Sequence, residues 1–273
     1  MSGLPSTLKL AACSLLLATC CAVAITQTAA PPPAGTSTNT PWAYEVVSVK
    51  PYKAGSDPGV SMWWRSTRDG FSAKGVTLQQ LLISAYGILT PDQIDGLPSW
   101  GDSDQFAVEA KMDEDTTAAF QKLTQKERVH AQQQMMQAML ADRFGLKVHH
   151  ETKEKAVYNL VIARSAFKLK ETAAGAPGGY SMGNGQFTGK GIAIDTLAFS
   201  LSNELGRLVV DKTGLAGKYD MALKWTPDDQ QGMADAGPSI FTAIEEQLGL
   251  KLESAKGPVD TIVIDHTDKP SED

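Results

Sequence analysis

A chain of 273 residues, 42% hydrophobic and 21% charged, has enough apolar material for one large core or two small ones and is not a disordered polyelectrolyte. Its formal net charge of −6 argues against nucleic acid or an anionic membrane surface as a partner. All three cysteines, Cys13, Cys20 and Cys21, lie near the N-terminus. If that segment leaves as a leader, no thiol remains for a disulfide, a zinc or iron–sulfur site, or a nucleophile.

Residues 1–30 read as an export leader. Lys9 supplies the positive start, residues 10–25 the apolar run, and Ala22-Val23-Ala24 or Thr28-Ala29-Ala30 the small-residue cleavage site. The run is too short for a good membrane span, and no later stretch approaches the roughly 18 consecutive apolar residues one needs. Loss of the leader removes Lys9 and no acid, so the remainder is more acidic still. Export to the periplasm or beyond is the expectation, with no integral membrane span left after cleavage. Leu17-Ala18-Thr19-Cys20 resembles a lipobox, although Thr19 replaces the usual smaller residue, so a lipoprotein anchored through Cys20 is the alternative.

Residues 31–41, opening on three prolines, read as a disordered tether. Residues 42–50 alternate as a strand ended by Pro51. A turn at 55–58 and a strand at 60–65 follow, and Asp69-Gly70 signals a hairpin into a strand at Phe71. Thr77 and Gln80 form a capping box for a helix that buries Leu78, Leu81, Leu82 and Ala85 and stops at Gly87. Residues 106–111 alternate as a strand. Thr124 and Glu127 open a helix whose stripe is Val129, Gln132, Met136, Met139 and Leu140, ending near Gly145. Two strands, 146–151 and 157–163, close this half, and the Gly/Ala/Pro-rich stretch 171–186 reads as a linker.

The second half repeats the first. Phe71-Ser72-Ala73-Lys74-Gly75-Val76 returns as Phe187-Thr188-Gly189-Lys190-Gly191-Ile192, the stretch around Phe144-Gly145-Leu146-Lys147 as Leu248-Gly249-Leu250-Lys251, and Val157-Tyr158-Asn159-Leu160 as Val259-Asp260-Thr261-Ile262. A helix from Ile194 ends at Gly206, strands follow at 208–211 and 219–225, and 226–237 is a polar loop. Ser239 caps a last helix that buries Ile240, Ile244 and Leu248 before strands at 250–253 and 259–265. The fold class expected is α+β: two duplicated β-α-β…α-β-β units, residues 42–170 and 187–273, with helices on mixed or antiparallel sheets.

Little in this pattern carries chemistry. Gly179-Tyr180-Ser181-Met182-Gly183 has the spacing of a nucleophile elbow but neither the strand before it nor the helix after it, so it is taken as linker. His149 and His150 are neighbours on a strand and face opposite ways; with His130 and His266 they make no ligand set. Met135, Met136 and Met139 are core spacing. Asp113-Glu114-Asp115 and Asp228-Asp229 are solvated loop acids, and Lys74-Gly75 and Lys190-Gly191, present in both halves, are structural turns. No catalytic residue, metal or cofactor is assigned. Trp63-Trp64-Arg65 is the one candidate binding site: one Trp of the pair belongs to the core, and the other, exposed beside Arg65, is placed to stack on a sugar or contact a partner.

Several stretches carry a resemblance: Tyr44-Glu45-Val46-Val47-Ser48-Val49-Lys50-Pro51, the run from Leu140 to His149, Val210-Asp211-Lys212-Thr213-Gly214-Leu215, and Asp265-His266 with Lys269-Pro270. Together they resemble a soil-associated family of uncharacterised exported proteins abundant in Acidobacteria, which implies no known activity. Each half, best at residues 240–264, also resembles the short N-terminal domain of secretins and TonB-dependent receptors, which implies docking of periplasmic partners. The leading expectation is a non-catalytic periplasmic protein-interaction or envelope-sensing module. A small-molecule or glycan binder using a cleft between the repeats is the alternative, and a hydrolase the third reading. Where the halves differ, at 60–65, 113–125 and 226–237, a local site is expected.

Overall fold

The computed structural model describes residues 42–53, 62–164, 167–173, 177–230 and 237–270. The first half supplies β1 (Val46–Pro51), β2 (Trp63–Thr67), β3 (Gly70–Val76), α1 (Leu78–Tyr86), a 3-10 turn at Pro91–Gln93, β4 (Ile94–Asp95), β5 (Phe106–Lys111), α2 (Glu114–Gln121), α3 (Gln125–Arg143) and β6 (Lys147–Ile162). The second supplies β7 (Lys170–Glu171), β8 (Gly179–Gly183), β9 (Gln186–Ile192), α4 (Ile194–Leu205), β10 (Val209–Asp211), β11 (Tyr219–Lys224), α5 (Ile240–Ala243, continuing as a π-helical turn over Ile244–Leu248) and β12 (Leu250–His266). This is the α+β fold expected, with mixed and antiparallel sheets.

The duplication is visible strand by strand. One antiparallel sheet has the order β1-β5-β3-β2, and another repeats it as β7-β11-β9-β8. In both, a hairpin edge strand precedes the strand whose Phe is buried: Thr67 faces Gly70, and Gly183 faces Gln186. The second unit therefore begins before residue 187. The stretch 171–186, read as a linker, contains β8, because Asn184 and Gly185 take φ of 50° and 69° and form the left-handed two-residue turn that joins twisted strands. Lys74-Gly75 and Lys190-Gly191, read as turns, are bulges within the sheets, with the glycines at φ 69° and 56° and a register shift opposite each. Among the described residues, helix α2 has no counterpart in the second half.

The helix signals in the sequence correspond to real caps. The Thr77–Gln80 and Thr124–Glu127 capping boxes are both closed, and Gly87, Gly206 and Gly249 end their helices in the left-handed region. The stripe of α3 differs from expectation. Val129 is 47% exposed, and Ala131 and Met135 are buried in place of it and of half-buried Gln132. The first turns of α3 are mostly exposed; burial begins at Ala131, and farther along α3 meets α1, with Gln137 Nε2 donating to Ala85 O and Ser84 against Met136.

The largest departure from expectation is at the two strand pairs. Residues 146–151 and 157–163 merge into the 16-residue β6, and 250–253 and 259–265 into the 17-residue β12. Their exposed, charge-rich middles break the apolar alternation but not the ladder, which runs antiparallel from Leu250 opposite Ile162 to Ile264 opposite Val148. Each strand crosses from one core to the other. Leu146 packs in the first core with Phe71, Leu81 and Phe144, whereas Leu160 packs in the second with Phe187, Leu197 and Ile244. Conversely, Leu250 and Leu252 belong to the second core and Ile262 to the first. The outer strands follow: β10 runs parallel to β6 and β4 parallel to β12, giving the order β10-β6-β12-β4. The described residues accordingly cluster as one unit.

Candidate functional site

Alternation on β2 separates the three residues of the expected binding site. Trp64 turns inward and stacks on Phe71, with ring centroids 4.8 Å apart and planes within 5°, as part of the first core's flank. Trp63 and Arg65 share the opposite face, where the guanidinium lies 5.8 Å over the Trp63 ring. The three therefore form no joint platform. Trp64 is a packing residue, and the half-buried Trp63 with exposed Arg65 is the part left for contact.

The same architecture recurs in the second half, at a stretch read as linker. Tyr180 occupies on β8 the position of Trp64 on β2 and stacks on Phe187 at 6.0 Å, yet remains 49% exposed. Bonded and non-bonded pairs alternate outward from a two-residue turn, so Gly183, Ser181 and Gly179 bond to β9, while the main-chain groups of Tyr180 and Met182 point to the open side. Among the described residues no strand pairs with that side. A hollow of 320 Å³ lies over the hairpin, lined by residues of the 177–181 stretch with their β9 neighbours Thr188 and Lys190. The signal for this edge was Asn184-Gly185 between Met182 and Phe187. The Gly and Pro content around it hid the hairpin.

Ser181 of the Gly-x-Ser-x-Gly spacing sits exposed in the middle of β8, with a strand rather than a helix after it. The histidines are engaged separately: His149 Nδ1 is 2.9 Å from Asp265, His150 Nδ1 3.5 Å from Asp260, and His266 Nε2 2.9 Å from Asp268. No group of three or more His, Cys, Asp or Glu side chains is arranged to hold a metal among the described residues. Asp113, expected in a loop, caps α2 instead: its carboxylate accepts from the Thr116 N–H at 2.7 Å and the Thr116 hydroxyl at 2.6 Å. Asp228 and Asp229 open a 3-10 turn.

The shifted acids are structural pins. Asp95 on β4 accepts from Lys153 and Lys155 of β6, both at 2.7 Å, and these bonds hold its carboxyl below the usual range. Asp220 on β11 is lowered by the Thr172 hydroxyl at 2.7 Å and then by the Gly191 N–H at 2.9 Å, which fixes the second bulge. Burial pushes the phenols of Tyr44 and Tyr86 up. Asp95 and Asp220 are both lowered by lysine, hydroxyl and main-chain donors, and among the described residues no second carboxylate contributes to either shift.

A family model described as a protein of unknown function (DUF3738) matches residues 79–267. The matched stretch contains β8 and the whole β6–β12 ladder, and begins after Trp63, Trp64 and Arg65. No curated protein and no solved structure matches the chain.

Proposed function

The chain belongs to this family of proteins of unknown function, DUF3738, and we propose that it is an exported, non-catalytic docking module that takes an extended segment of a periplasmic or envelope protein as an added strand on β8. The observation that carries the reading is the unpaired outer side of β8, with the main chain of Tyr180 and Met182 turned outward and an exposed aromatic beside a hollow. A strand adding there gains main-chain hydrogen bonds along the edge, and the hollow receives alternate side chains. The β2 edge offers the same geometry in the first half, with Trp63 and Arg65 on its outer face. The leader at 1–30, the acidic balance and the similarity of each half to the docking domains of secretins and TonB-dependent receptors support an envelope setting.

The test is crosslinking in the envelope with wild type and Tyr180→Pro. Proline at this position removes an outward N–H but no bond to β9, so the protein should stay folded, at a cost of about 1–3 kcal/mol for the lost stack on Phe187, while the crosslinked partner is lost. Tyr180→Phe should retain the partner. Equal recovery with Tyr180→Pro would exclude β8 as the docking edge.

A further inference from the structure

Alternation sorts the β8–β9 hairpin into two faces. Tyr180 stands opposite Gly189 and Met182 opposite Phe187 on the side of the second core, whereas Ser181 stands opposite Thr188 and Gly179 opposite Lys190 on the other side. The hollow of 320 Å³ is lined by residues of that second face. Gly179 opens it: the position has no side chain, and nothing lies within 4 Å of where a Cβ would stand. Lys190, exposed on β9, is the charged residue among its described walls, beside the hydroxyls of Ser181 and Thr188. Residues 174–176, which precede Pro177, are Ala-Gly-Ala and bring no charge of either sign. Asp220, close enough to feel the charge of Lys190, is already engaged: its carboxylate accepts from the Thr172 hydroxyl and from the Gly191 N–H.

We propose that the segment docking on β8 is acidic, with apolar side chains against Tyr180 and Met182 and a carboxylate that meets Lys190 across Gly179. The inference rests on the docking reading and supplies its specificity. A segment that continues this antiparallel sheet places successive residues opposite Met182, Ser181, Tyr180 and Gly179, so its sequence reads apolar, polar, apolar, acidic. The two apolar positions share the face on which the Tyr180 ring stands 49% exposed against Phe187. The polar and acidic positions share the face of the hollow, where Ser181 and Thr188 offer hydroxyls to the first and Lys190 its ammonium to the second. Neighbouring strands lie about 4.8 Å apart, so β9 and the added strand are separated by about 10 Å with β8 between them. Long side chains from the two meet over the intervening strand only where it is bare, and Gly179 leaves it so. The pair is exposed to water, so it adds selectivity more than affinity.

Fluorescence anisotropy with two labelled, end-blocked peptides tests the proposal: Gly-Ser-Val-Thr-Val-Glu-Gly-Ser, and the same sequence with Lys in place of Glu. Wild type should bind the Glu peptide about fivefold tighter at low salt. The net charge of −6 favours the Lys peptide at long range, so a preference for Glu reports a local cation. Lys190→Gln should abolish the preference, and Lys190→Glu should reverse it. Lys190→Gln alone decides the matter if a new acid beside Asp220 unfolds the protein. Tyr180→Pro should bind neither peptide. Equal affinity of wild type for both peptides, tighter binding of the Lys peptide, or a Glu preference that survives Lys190→Gln would overturn the acidic assignment and leave docking at β8 in place. Binding undiminished by Tyr180→Pro, or no saturable binding of either peptide up to about 2 mM, would overturn both.

Discussion

Asp95 shows how a single side chain can join elements distant in sequence. It sits on a two-residue strand, yet its carboxylate holds Lys153 and Lys155 of β6 while its backbone lies beside β12. Its folded pKa is depressed, so its contribution is present above the unfolded value near 4 and lost as pH falls through the lower folded value. Asp95→Asn should cost about 1 kcal/mol at neutral pH, a figure already reduced for the 33% exposure of the side chain. Urea denaturation of both proteins should show the gap closing below about pH 4; a gap independent of pH would mean that the charge is not what holds the pin. Trp64 and Tyr180 give a second lesson at this scale. Composition marks the adjacent pair Trp63-Trp64 as unusual, but only strand alternation assigns Trp64 to Phe71, and only the register makes Tyr180 its equivalent.

Among the elements, the β8–β9 hairpin depends most on one residue. Gly185 has φ of 69°, and a Cβ there would lie 2.3 Å from Trp225 O, whose own N–H bonds back to Gly185 O at 2.9 Å. Gly206 has a similar φ of 59° but nothing within 4 Å of its missing Cβ. Gly206→Ala should therefore cost about 1–2 kcal/mol, the conformational penalty alone. Gly185→Ala should cost more than about 3 kcal/mol, because the clash with backbone adds to that penalty. Thermal melts of the two variants make the comparison, and equal losses would show that the approach to Trp225 relaxes freely. Helices were legible at this scale because caps and stripes are local; Thr77, Thr124 and Ser239 each accept the bond expected of an N-cap. Long strands were less legible. The middles of β6 and β12 are solvated, so Thr152 to Lys155 and Ala255 to Pro258 show no apolar period although they remain paired.

For the whole molecule, strand exchange makes the two halves inseparable. Leu160 completes the second core and Ile262 the first, so either half alone leaves one core short of a strand and exposes the apolar face of the other. Fragments 42–168 and 169–273 should each lack native near-UV circular dichroism when expressed alone and should regain it on mixing. A cooperatively folded single fragment would show that the exchange is not required. Sequence by itself determined the α+β class, the duplication, the helix caps and the absence of any thiol beyond Cys21, because each rests on local periodicity, on self-similarity or on simple composition. Tertiary structure decided which strands cross between cores, that the Gly-rich stretch before Phe187 is a paired edge, and that Asp95 meets Lys153 and Lys155. Those depend on pairings between residues distant in sequence, such as Ile94 with Ile262, which leave no local signature: a strand carries the same period whichever core receives it, and a polar residue reads the same in sequence whether or not a partner reaches it.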